Sequence, residues 1–533
     1  MSEATPWWRG AVLYQIYVRS FADGNGDGIG DFEGLLSRLD YIAALGVDAV
    51  WLSPIHPTPN RDWGYDVSDY DRINPEFGND ADFERLLAES HARGLKLLID
   101  EVLAHTSDEH PWFRASLEGG DQADWYVWAP AREDGTAPNN WLSAFGGPAW
   151  SYHPARRQCF HHKFLRQQPK LNWRNPGARA AALRVLERWL ERGVDGFRLD
   201  VANAFVHDAS LTDNPPVPNE LRTDLTWSQA AHLQYHRHDS NLPENLEVLD
   251  EIRRRVEQYR ERFVMGEFSE EPDRSGGLAS SSHGLHSGYT FPLLNARRLG
   301  PAFVREHYEM LARYPDHWPS VAFSNHDVVR TVTRFGGRDA PPALARLMLA
   351  LLVSLKGTPI LYQGEELGLP ETELRRDQFK DPVGDLYYPL SRGRDGCRTP
   401  MPWDDSSLNL GFTTGAPWLP LSPAHRALAV SNQERDASST LSYARRLLVE
   451  RKAIAALRLG EIQFVDASEP VLAFLRIHAD ERILRVFNMS NAEASFREQL
   501  VGSGVPLALG CGETKVSGST LTFAPYGAWF ARL

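Results

Sequence analysis

Short apolar runs recur along the first three-quarters of the chain, and most are followed by a stretch whose apolar positions fall three and four residues apart. That alternation predicts strands each succeeded by a helix, the pattern of β/α units around a parallel sheet. Runs at 11–17, 47–54, 95–100, 194–200, 262–267, 287–291, 320–327 and 359–366 predict eight strands. Helical patterns at 32–46, 82–94 and 179–193 lie between them. Eight units of this kind predict a closed (β/α)8 barrel, the TIM-barrel architecture of the α/β class.

Three stretches break the alternation. Residues 104–175, rich in Pro, Trp, His and Gly, separate the third strand from its helix. A connection of that length predicts a small inserted domain after strand three. Residues 203–245, with NPPVPNE, and 365–405, with RDGCRTPMPW, are further irregular excursions. Beyond about residue 457 the period changes to two, in LAFLRI, ERILRVFNM, TLTFAP and GAWFARL, which predicts a C-terminal antiparallel β-sandwich. The expected organisation is a barrel over 1–103 and 176–457, an inserted domain over 104–175 and a sandwich over 458–533.

Composition narrows the function. The 533 residues carry 57 Lys and Arg against 70 Asp and Glu, a net charge of −13, which argues against nucleic acid and anionic membrane surfaces as partners. Three widely spaced cysteines make neither a disulfide framework nor a zinc pattern. The start, MSEATPWWRG, lacks the basic and apolar segments of a signal peptide, and no window is apolar enough to span a membrane. Together these predict a cytoplasmic protein. Of the 16 Trp, most read as core, although aromatic faces also suit sugar rings.

Active sites of such barrels lie at the C-terminal strand ends. Asp200, Glu267 and Asp327 close the predicted strands four, five and seven. Gathered carboxylates repel, which raises at least one pKa and leaves one acid beside one anion. Glycoside hydrolysis uses that division, since one carboxylate attacks the anomeric carbon while another protonates the departing oxygen. Arg198 shares a strand face with Asp200, and His105 and His326 stand on the same rim. Singly, each of these has a plain structural explanation as a salt bridge, a satisfied histidine or a cap. Their joint occurrence at four strand ends points to a site.

A second constellation is DGNGDGIGD at 23–31. Asp23, Asn25, Asp27 and Asp31 alternate with other residues and, with the Ile29 carbonyl, offer hard oxygens to a cation. It is not an EF-hand, because position twelve is Gly34. A Gly/Asp turn held by its own side chains is the alternative. His161–His162 and the histidines of HLQYHRH at 232–238 read as solvated loop residues.

DEVLAHTSDEH, GVDGFRLD, MGEFSE and FSNHD, in that order, resemble the motifs of the α-amylase superfamily of glycoside hydrolases (family 13), and QQPKLNW resembles its additional motif in the inserted domain. The resemblance runs from WWRG at residue 7 to the C-terminal sandwich and is nearest to the bacterial α-glucosidase and oligo-1,6-glucosidase branch. It implies a retaining, exo-acting α-glucosidase with Asp200 as nucleophile, Glu267 as acid and base, and Asp327 gripping sugar hydroxyls. Arg198, His105 and His326 would support the glucose subsite, Tyr65 would stack on the ring, and Phe145 and Phe164 would wall it. Asp62 and Arg398 would pair across the far hydroxyls and close the site into a pocket. The resemblance also implies one structural Ca²⁺ or Mg²⁺ in the 23–31 loop, no organic cofactor, substrates such as maltose, isomaltose or sucrose, and a monomer or homodimer. Transglucosidases and sucrose- or trehalose-isomerising enzymes share the motifs, and so does the fold of catalytically silent scaffold subunits, which typically lack the acids. The chain departs from the pattern at Val18, at Ala104, which replaces a calcium-ligating Asn, and at Lys170, which replaces an Asp. Val201, after the implied nucleophile, tends in this branch to accompany α-1,6 specificity.

Overall fold

A computed structural model of the chain describes residues 5–221, 227–269, 276–280 and 282–533. The strands are, in chain order, β1 Leu13–Ile16, β2 Ala49–Leu52, β3 Lys96–Glu101, β4 Trp128–Ala129, β5 Trp150–His153, β6 Gln158–His161, β7 Gly196–Leu199, β8 Phe263–Phe268, β9 Ser287–Thr290, β10 Ser320–Val321 and β11 Thr358–Tyr362. Eight of them form one parallel sheet in the order β10-β11-β1-β2-β3-β7-β8-β9. The two edges approach through Ser287 Oγ, which lies 2.8 Å from Ser320 Oγ and donates to the Trp318 carbonyl, so the sheet is a nearly closed barrel. Its strands are buried on both faces, which explains their near-continuous apolar runs.

Helices wrap the sheet where the sequence places them. Asn175 caps Pro176–Glu191 by accepting from Gly177 and Ala178, and Pro176 occupies the first turn. Asn79 and Asp82 make a reciprocal capping box for Asp80–Ala92. The pattern at 32–46 resolves into two helices, Phe32–Leu36 and Leu39–Leu45, because Arg38 leaves helical geometry.

The seventh strand is a correction. The run 320–327 yields a strand of only two residues, and Asp327 stands on the following loop, where its N–H donates to Asn325 Oδ1. A two-residue strand suffices to frame the site because the loop is itself buried from Ala322 to His326.

Within 104–175, β4, β6 and β5 form a three-stranded sheet. This region is sewn to the end of β3 by a bridge between His105 and Lys170 and by Leu171 N–H donating to the Ala104 carbonyl. The C-terminal strands are β12 Glu461–Val465, β13 Val471–His478, β14 Glu481–Asn488, β15 Ala494–Arg497, β16 Val505–Pro506, β17 Thr514–Ser517, β18 Thr520–Phe523 and β19 Ala528–Arg532. They make a five-stranded sheet and a three-stranded sheet with an apolar core between them. Among the described residues no helix is long and apolar enough to cross a membrane.

Candidate active site

One cavity of about 580 Å³ gathers most of the residues singled out above, with Asp62, Tyr65, His105, Asp200, Glu267 and Asp327 in its wall. Phe145 and Phe164 join them from the inserted region, their rings edge-on at 5.6 Å. Arg198, His326 and Arg398 are fully buried behind this wall. Glu270, the last residue of MGEFSE, lies outside the described residues.

Arg198 organises the acids. As the third residue of β7 it points into the barrel, where Nη1 meets Asp100 at 2.8 Å and Asp200 at 2.7 Å, and Nη2 meets Glu267 at 2.6 Å. One guanidinium cannot neutralise three carboxylates in an environment of low polarity. Burial pushes Asp200 up to about 7 and Glu267 up to about 8, against the pull of Arg198 on both. Both acids are therefore raised, which keeps one proton within the pair. The two titrate as a coupled pair. Asp100, also raised to about 6 by burial, accepts from Tyr65 Oη at 3.0 Å.

Asp327 is the contrasting acid. Burial alone would raise it, but the facing His326, Arg394 and Arg398 hold it well below the usual carboxylate range. Arg398 Nη2 donates to Oδ1 at 2.7 Å and Arg394 Nη1 donates to the same oxygen at 3.1 Å. It is therefore an anion at any working pH.

The histidines are neutral. Burial lowers His105 to about 4 and His326 to about 3. His105 Nε2 donates to the Tyr65 carbonyl at 2.9 Å, and its Nδ1 has no hydrogen-bond partner among the described residues. His326 Nδ1 accepts from Gln15 Nε2 at 2.8 Å, which leaves the proton on Nε2, 3.4 Å from Asp327 Oδ2. Tyr65 stacks on the His326 ring at 5.0 Å and 3°, so both aromatic faces are fixed.

The pair expected at the far end is corrected. Asp62 is met by Arg394 and not by Arg398: Arg394 Nη2 donates to Asp62 Oδ1 at 2.6 Å and to Asp381 Oδ1 at 2.8 Å. Arg398 instead donates to the His326 carbonyl at 2.8 Å and to Asp327. Both arginines belong to RDGCRTPMPW, and a spacing of four leaves the choice between them to the loop's path. Sequence reasoning also missed Gln168, whose Nε2 donates to Asp62 Oδ2 and the Tyr65 carbonyl, both at 3.0 Å. Its signal was its place in QQPKLNW, two residues before Lys170.

Val201 follows Asp200 in the left-handed region, φ 43° and ψ 46°. For a β-branched residue that conformation costs about 1–3 kcal/mol and persists only where its surroundings impose it. Here its N–H donates to Glu267 Oε2 at 3.1 Å. The reading of the histidines as solvated is corrected for His161, His162 and His236, which are buried, whereas His232 is exposed at the cavity wall beside His236.

In the 23–31 loop, every acceptor side chain is engaged by the loop itself. Asp23 accepts from Asn25, Gly26 and Gly28 N–H and from Thr413 Oγ1, Asn25 from Asp27 N–H, and Asp27 from Ile29 N–H. Asp31 caps the following helix at Gly34 and also accepts from Gly24 and Asn25. Among the described residues no group of three or more His, Cys, Asp or Glu is placed to hold a metal. The hard-oxygen donor set suits Ca²⁺ or Mg²⁺: Asn25 Oδ1, Asp27 Oδ1 and Asp31 Oδ2 each accept a single hydrogen bond, whereas both oxygens of Asp23 and Asp31 Oδ1 accept two.

Comparison with known proteins agrees with the geometry. A family model described as alpha amylase, catalytic domain, matches residues 15–460. A probable alpha-glucosidase of Rhizobium meliloti (strain 1021) is 46% identical over 99% of this chain and 97% of its own. An oligo-1,6-glucosidase of Parageobacillus thermoglucosidasius is 36% identical over 92% of each chain. The crystal structure of the alpha-glucosyl transfer enzyme XgtA superposes with a TM-score of 0.96 at 46% identity, covering 99% of this chain and all of that one.

Proposed function

The chain belongs to the α-amylase family of glycoside hydrolases, and from that premise we propose that it is a retaining, exo-acting α-glucosidase. The carrying observation is that one buried guanidinium holds both acids in the wall of one cavity, Arg198 Nη1 meeting Asp200 at 2.7 Å and Nη2 meeting Glu267 at 2.6 Å. Two carboxyls gathered on a single guanidinium support double displacement, in which one attacks and the other moves the proton, over direct attack by a water held between widely separated acids.

A terminal glucose enters with its far hydroxyls against Asp62 and Arg394, and Tyr65 covers its face. Asp200 Oδ attacks the anomeric carbon as Glu267 gives its proton to the departing glycosidic oxygen, leaving a glucosyl ester on Asp200. Glu267, now anionic, takes a proton from an incoming hydroxyl, which displaces Asp200 with a second inversion. Asp327, held anionic by its arginines, accepts from ring hydroxyls and favours the positive charge of the transition state. The closed end, where Arg394 bridges Asp62 and Asp327, supports removal of single terminal residues from short α-glucosides such as maltose, isomaltose or sucrose. Initial release of β-glucose, followed by NMR, would refute retention.

Transfer of glucose to a sugar or alcohol uses the same intermediate, and the 46% identity to a glucosyl transfer enzyme favours that second reading. Free glucose measured against transfer product at rising acceptor concentration separates the two. The loop at 23–31 is proposed as a structural Ca²⁺ or Mg²⁺ site on its donor chemistry, with no part in the reaction. The three buried free cysteines support a reducing, cytoplasmic setting.

A further inference from the structure

Lys170 carries its amine from the inserted region into the barrel mouth. The residue is 1% exposed, and Nζ donates to the main-chain carbonyl of Ala204 and, at 3.2 Å, to that of Phe205. Those carbonyls belong to the turn that follows Asp200, Ala202–Ala204, and to its next residue. Ala204 N–H closes the turn on the Val201 carbonyl at 2.9 Å, and Val201 N–H reaches Glu267. A continuous line of contacts thus runs from the inserted region to the proton donor.

The same short segment also serves the opposite end of the glucose site, where Gln168 holds Asp62 and the Tyr65 carbonyl. Among the described residues no carboxylate forms an ion pair with the Lys170 amine, and Asp239, which acts on it electrostatically, is bonded to Lys163 and His236. Burial and the neighbouring Lys163 bring Lys170 down to about 7. Its contribution is therefore directional and not a matter of charge: even the neutral amine has two N–H donors for two carbonyls. An apolar side chain would leave both carbonyls buried and unpaired, and the strained turn would relax.

We propose that Lys170 is a positioning residue for glucosyl transfer: from the inserted region it clamps the turn behind the nucleophile and thereby aims the Val201 N–H at Glu267. This rests on Asp200 and Glu267 acting as read above. The test is Lys170→Met, compared with the unaltered enzyme in steady-state kinetics and pH profile, with a thermal melt to establish folding. The turn's shift is expected to lower kcat by about 10- to 100-fold with little change in KM. The N–H bond favours the Glu267 anion, so weakening it moves the alkaline limb of kcat/KM to higher pH. Unaltered kcat, or a lower kcat with that limb unmoved, overturns the proposal. If Lys170→Met does not fold, Lys170→Gln, which keeps one donor group, is read by the same two criteria. Activity retained in Asp200→Asn would sink the underlying reading instead, so the two failures are distinguishable.

Discussion

Two sets of buried arginines behave in opposite ways. Arg198 sits among Asp100, Asp200 and Glu267, which hold its guanidinium charged despite burial. Arg451, Arg476 and Arg485, where the barrel meets the C-terminal sheet, are equally buried but face main-chain carbonyls and a serine hydroxyl. Burial lowers them to about 9, 10 and 9. Arg476 alone ties together Ser354, Leu355 and Gly460, beyond the helix Pro342–Leu352. One set gathers more negative charge than it can neutralise, which keeps a mobile proton in the site. The other spends its donors on backbone and fixes how two parts of the chain meet. On the proposed mechanism a buried cation is thus catalytic machinery or mortar according to its partners, and the residue type does not say which.

Mutations sharpen this contrast. Asp200→Asn removes the oxygen proposed to attack and should lower kcat by about 10⁴-fold or more in steady-state assays. Arg394→Ala removes the bridge between Asp62 and Asp327, leaving them to Gln168 and Arg398, and kcat/KM should fall by about 10²-fold, chiefly through glucose misplacement. Glu267 titrates near 8 in the folded protein, so kcat/KM should decline as pH rises through that value. The same shift bears on stability. Between the ordinary glutamate pKa and 8 the folded state binds a proton the unfolded state has lost, so the site's penalty grows with pH. Glu267→Gln should then stabilise the inactive enzyme by on the order of 1–3 kcal/mol at pH 8 in denaturant titrations, with the gain vanishing below about pH 4.5. In the other set, Arg476→Met strands three carbonyls and should cost about 1–3 kcal/mol of stability while kcat/KM holds. A loss of activity at intact stability would erase the distinction drawn here. Chelation of a loop cation at 23–31 should have the smallest effect, a lower melting temperature with unchanged turnover.

The sequence by itself determined the architecture and the acids. Apolar runs of period-matched length commit the chain to a parallel barrel, because each run must bury two faces, and acids set directly after such runs can only emerge at one rim. Asp200 and Glu267 were legible for that reason, and Asp327 was legible through its motif although its strand shrank to two residues. Tertiary structure alone decided which arginine meets Asp62, that Gln168 reaches Asp62 while Lys170 reaches the turn behind Asp200, and that the histidines at 161, 162 and 236 are buried. Those choices depend on the paths of long irregular segments whose side chains follow no period. Their partners come from elements as many as 332 residues apart in the chain, as for Arg394 and Asp62. Local pattern carries no information at that range, whereas packing and the demand that buried polar groups be paired do.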